Sequence, residues 1–136
     1  MDLISGLPIH PLINHGVAVL VPLAAIGALL VIFIPKFRAA YSSLVLIAVL
    51  LSTMSAFIAT QSGEALSERV GLPNAHATQG ERLSYAVLAF AILFTAWFLL
   101  ERSDRIREVL ASLFKRVLKV VISITAISSF ILTVLV

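Results

Sequence analysis

Cysteine is absent from all 136 residues, which removes disulfides, thiolate metal ligation and cysteine nucleophiles together. Charge is scarce as well: Asp, Glu, Lys and Arg make up 12% of the chain, too little to coat an ordinary soluble domain. Before the first apolar stretch the one charged residue is Asp2. With no basic n-region and no small-residue cleavage motif, a cleavable signal peptide is not expected and the first stretch is expected to be retained. Ser62 and Ser84 sit in no nucleophile-elbow motif, so nucleophilic hydrolysis is poorly supported. No internal repeat and no low-complexity linker stands out.

What the chain does have is hydrophobicity: 60% apolar residues and a mean hydropathy of +1.09. Crossing the hydrocarbon core takes roughly 20 helical residues, and four runs reach that length: Gly16 to Ile34, Ala39 to Gln61, Leu83 to Leu100 and Val117 to Val136. The reading is an all-α, multi-pass protein with four transmembrane helices, forming a single integral membrane domain over residues 1–136. Between runs three and four, Glu101 to Lys119 places Ile106, Val109, Leu110, Leu113 and Phe114 at helical spacing among charges. That pattern predicts a short cytoplasmic amphipathic helix.

The connections carry a strong sign bias. Lys36 and Arg38 follow the first run, and Arg102, Arg105, Arg107, Lys115, Arg116 and Lys119 follow the third, whereas the other face has Arg69 and Arg82 against Asp2, Glu64, Glu68 and Glu81. The positive-inside rule makes the basic face cytoplasmic and both termini extracytoplasmic. A sequence pI near 9.8 therefore reflects topology and contact with the lipid bilayer, not nucleic acid.

All three histidines fall on the predicted outer face. His10 and His15 precede the first span and His76 precedes the third. Pro11 disfavours helical geometry at His10, which reads as a helix cap with His15 a turn deeper. Pro22 would free a carbonyl and kink span one, and Gly27 permits close helix contact. The second span leaves the membrane through Gln61-Ser62-Gly63-Glu64, followed by an outer loop from Ala65 to Pro73. Asn74 is placed to cap helix three, His76 falls in its first turn, and Gly80 beside Glu81 leaves room for a neighbouring helix or a flat ligand. Trp97 reads as an interfacial aromatic, and Ser123, Thr125, Ser128, Ser129 and Thr133 as helix-packing positions.

His10, His15, Glu64, His76 and Glu81 thus form a histidine and carboxylate constellation. Imidazole suits iron, copper and zinc, with carboxylates as further ligands or orienting groups. Two facing histidines also hold haem b iron axially, and His15 with His76 is the pair expected to do so. The competing reading makes the histidines caps and pairs Glu64 and Glu81 with Arg69 and Arg82 at the surface. No ionisable residue lies mid-span, which argues against a transporter.

Gly6-Leu7-Pro8-Ile9-His10-Pro11 with His15, Gln61-Ser62-Gly63-Glu64-Ala65, and His76 with Gly80-Glu81 resemble a bacterial membrane family, domain of unknown function 2231. The resemblance covers about residues 6 to 100. It implies no established activity. Relatives joined to Rieske-type or cytochrome-type redox domains tilt the expectation towards electron transport in the bacterial plasma membrane, an association rather than a mechanism. The resulting expectation is a protein that is not an enzyme by itself. Its first ligands would be His15 and His76, with His10, Glu64 and Glu81 completing or orienting a site for haem b or a transition metal, and other membrane redox subunits or a homo-oligomer as partners. The alternative is a non-catalytic accessory subunit of a larger respiratory complex.

Overall fold

The computed structural model describes the backbone at residues 3–4, 7–70, 74–102 and 112–135, and side chains at 13–62, 78–102 and 115–135. After a two-residue hairpin, β1 (Leu3–Ile4) paired antiparallel with β2 (Leu7–Pro8), the chain forms α1 (Ile9–Phe33), α2 (Pro35–Val70), α3 (Asn74–Arg102) and α4 (Ser112–Leu135). Four segments are long and apolar enough to cross a membrane: Ile13–Phe33, Pro35–Ser62, Thr78–Arg102 and Lys115–Leu135. The all-helical, four-span architecture is therefore as expected.

A single residue, Ile34, separates α1 from α2. Pro35 opens α2, where its missing N–H costs nothing and its fixed φ already suits a helix. Pro22 is accommodated inside α1. Packing against neighbouring helices makes this tolerable in a span.

α1 and α3 each pack against both α2 and α4, so they face one another across the bundle axis. Without water to exclude, association of such helices rests on close packing, and the buried residues show how it is achieved. On α1 the middle of the inward stripe is small, with Ala24, Ala25 and Ala28 buried. On α3 it is aromatic: Phe90, Phe94 and Trp97 run down the helix with successive ring centroids 6.1 Å and 5.4 Å apart, in the same core cluster as those alanines. Small residues opposite large ones let the stripes interdigitate. At Gly27 a Cβ would come within 3.1 Å of Val45 Cγ2 on α2, so the expected close contact at this glycine is present. The outward faces of α2 and α4 expose Leu44, Ile47, Met54, Ile124, Ile131 and Val134, as lipid-facing surfaces should.

The packing also overturns the expectation that the chain has no internal repeat. The buried apolar residues of α1 are Val17, Val21, Ala24, Ala25, Ala28, Val31 and Ile32; those of α3 are Leu83, Val87, Phe90, Ala91, Phe94, Trp97 and Phe98. Each of the second set lies 66 residues after its counterpart in the first. In both helices the first two belong to one core cluster and the other five to a second. For the second helix of each pair the offset is 73: Val45, Val49, Thr53, Ala56 and Ala59 of α2 correspond to Leu118, Ile122, Ala126, Ser129 and Leu132 of α4. The seven extra residues fall in the longer α3–α4 connection. Helical hairpin α1–α2 and helical hairpin α3–α4 are repeats of one design, side by side in the same orientation. Composition hid this, because the paired positions share burial and depth, not identity or size: Ala24, Ala28 and Val31 correspond to Phe90, Phe94 and Trp97.

Three further differences concern helix ends. α2 remains helical to Val70, through most of the segment expected to be a loop from Ala65 to Pro73. α1 starts at Ile9, placing His10 inside the first turn; Pro11 is harmless there because first-turn N–H groups lack helical partners anyway. Of the expected amphipathic helix, residues 103–111 lie outside the described residues. Its flanks are the last residues of α3 and the first of α4.

Candidate functional site: the two ends of the bundle

Helix directions sort the charged and polar residues into two ends. At one end the C-terminus of α1, the N-terminus of α2 and the C-terminus of α3 meet, and Arg38 ties them together. Its Nη1 donates to Glu101 Oε1 at 2.9 Å, its Nη2 to Ile32 O at 2.7 Å and its Nε to Val31 O at 3.2 Å. The guanidinium also stacks over Trp97, 5.4 Å from the ring centroid. The two carbonyls belong to the last turn of α1, where no helical N–H follows to satisfy them and the helix dipole favours a cation. Arg38 and Glu101 are both about three-quarters buried, so the charges neutralise one another where hydration is limited.

Reading the sequence missed this arrangement by treating Arg38 as one member of a basic loop. One signal was available: Glu101 is an acid at the end of the chain where basic residues dominate. Trp97 lies near that end as expected, yet it is buried in the core and supports Arg38 instead of facing the lipid interface.

The other end collects the start of α1, the end of α2 and the start of α3. Here α2 and α3 are joined by hydroxyls: Thr60 Oγ1 and Ser84 Oγ share a hydrogen bond of 2.6 Å. Ser84 also reaches Gly80 O at 3.1 Å and Ala56 O at 3.3 Å, and Thr60 reaches Ala56 O at 3.0 Å. Ser84 is therefore a packing residue that joins two helices. On α4, Ser129 is fully buried, as a packing position should be, and Ser123, Thr125, Ser129 and Thr133 each donate to a carbonyl three or four residues back on their own helix. They satisfy themselves within the span rather than linking helices.

Beyond this hydroxyl clasp lie the expected ligands. His15 and Glu81 have exposed side chains, at the rim of the bundle. Each stands two residues outside a core position of the outer cluster, Val17 for His15 and Leu83 for Glu81. His10, Glu64 and His76 have helical backbones at the same end, in α1, α2 and α3; their side chains lie outside the described residues. Glu81 and Arg82, both exposed, form no ion pair with each other, while Glu64 and Arg69 fall outside the described side chains. Among the described residues no three His, Asp or Glu side chains are grouped as a metal site. Among the described residues nothing lies within 4 Å of where a Gly80 Cβ would stand.

A family model described as a predicted membrane protein, DUF2231, matches residues 6–136, and the chain belongs to that family. The match extends through α4, beyond the residues that carried the resemblance in the sequence. No curated protein and no solved structure matches.

Proposed function

We propose that this member of the DUF2231 family binds haem b or a transition metal at the histidine end of its bundle, in membrane redox chemistry or metal handling. The observation that carries the reading is the helix order: it gathers the segments bearing all three histidines, with Glu64 and Glu81, at one end. The opposite end spends its buried charge internally on Arg38 and Glu101. Imidazoles supply nitrogen ligands to iron, copper or zinc, and the carboxylates orient a ring through its second nitrogen or complete the ligand set. The basic end faces the cytoplasm of a bacterial cell and the histidine end faces outwards.

Elemental analysis of tag-free, detergent-purified protein for iron, copper and zinc tests the site. Near-stoichiometric metal that falls when the histidines are replaced by alanine supports the reading. A folded protein with no metal, and with none taken up from added haemin, copper or zinc, refutes it and favours a non-catalytic accessory subunit. Orientation has its own test, helped by the absence of native cysteine. In intact cells a membrane-impermeant thiol reagent should label Gln79→Cys, and it should label Lys36→Cys only after permeabilisation. The reverse pattern would invert the topology.

A further inference from the structure

The repeated hairpins make a statement about the histidines that neither hairpin makes alone. Projecting the 66-residue offset outward from the packed core takes Val17 to Leu83 and His10 to His76. Both histidines stand seven residues beyond their core reference, roughly 10 Å along the helix. Both also follow the same triplet after a short interval: Gly6-Leu7-Pro8 precedes His10, and Gly71-Leu72-Pro73 precedes His76. The motif and the packing offset are independent observations, and they agree to within one residue. By contrast His15 corresponds to Glu81, on the inner tier.

α1 and α3 lie diagonally across the bundle and enter it in the same direction. Residues related by the repeat therefore sit at equal depth on opposite sides of one central axis. We infer that His10 and His76 are the equivalent halves of a pseudo-two-fold ligand pair for a single metal centre, a haem iron or a bare transition-metal ion. His15 and Glu81 form a separate tier that does not ligate it. This inference rests on the metal-binding reading and replaces His15 with His10 in the ligand pair. A metal on a two-fold axis needs ligands at matching height, and axial ligation of a haem by two imidazoles has that symmetry.

The test is titration of the full chain with haemin and, separately, with Zn²⁺, comparing His10→Ala, His76→Ala and His15→Ala, each shown to be folded by its thermal midpoint. His10→Ala and His76→Ala should weaken binding of the same probe by at least about tenfold, and to a similar degree. His15→Ala should change it by less than about threefold, below the range expected for even an outer-shell partner. If haemin is the probe bound, His10→Met should restore six-coordinate iron with a raised midpoint potential, which a capping role would not produce. Loss in His15→Ala with retention in His10→Ala overturns the pair while leaving metal binding intact. Uptake of neither haemin nor zinc by the wild-type chain overturns the pair and, with no copper or iron found either, the broader reading as well.

Discussion

The two ends of this bundle solve the same problem in opposite ways. At the basic end, Arg38 is engaged by two helix-terminal carbonyls, a carboxylate and an indole face, and three helix ends are thereby fixed in register. At the histidine end the polar contacts between helices among the described residues centre on a neutral hydroxyl pair, Thr60 with Ser84, while ionisable groups such as His15 and Glu81 stand exposed at the rim. A partly buried guanidinium with its donors used is committed to structure. Under the proposed function, the rim of the other end is where a ligand binds. The contrast teaches that dense charge can serve the fold, since the end richest in charge is the one fastened by a partly buried ion pair.

The largest expected effect comes from cutting the stronger fastening. Arg38→Ala leaves Glu101 partly buried without its cation and two carbonyls unsatisfied, and should lower stability by about 2–4 kcal/mol. Arg38→Lys should recover only part, because an ammonium cannot serve three acceptors in a planar fork or stack as well on Trp97. Unfolding in detergent or bicelles by a thermal or steric-trapping assay would read both. A loss below about 0.5 kcal/mol would remove the proposed difference between the ends.

Gly27→Leu comes next, at about 1–3 kcal/mol, because its side chain must enter the space held by Val45. Gly16→Leu, at the histidine end where no described residue stands within 4 Å of a Cβ, should cost far less. Equal costs would mean the two ends of α1 are packed alike. The smallest effect belongs to the hydroxyl clasp. A double-mutant cycle of Thr60→Val and Ser84→Ala should give a coupling of about 0.6 kcal/mol, the ordinary value for interhelical hydrogen bonds in a membrane. A coupling rivalling the Arg38 loss would make the ends equivalent fastenings.

Much of the fold is legible in the sequence because membrane solvent imposes coarse rules. Twenty-odd apolar residues form a span, and Asn74 and the basic connections mark where helices begin. The placement of His76 in the first turn of α3 is legible for the same reason. What escapes is whatever depends on which side of a helix faces inward. Nearly every residue in a span is apolar, so hydrophobic periodicity is weak and the inward stripe of α1 or α3 cannot be picked out from pattern alone. That is why Trp97 reads as interfacial and why the repeat is invisible until burial reveals it. The continuation of α2 to Val70 escapes for another reason: Ser62, Gly63 and Glu64 signal the end of hydrophobicity, and a helix can outlast its membrane span.

The central claim is that the histidine end binds the metal and the basic end holds the fold. Metal or haem bound per folded chain, compared between His76→Ala and Arg38→Ala at a temperature where both remain folded, tests it most directly. The account predicts loss in His76→Ala with the metal-free midpoint unchanged from that of the metal-free wild type, and full occupancy in Arg38→Ala despite its lowered midpoint. Equal occupancy in the two variants, or an empty wild-type protein that takes up no metal, would contradict it.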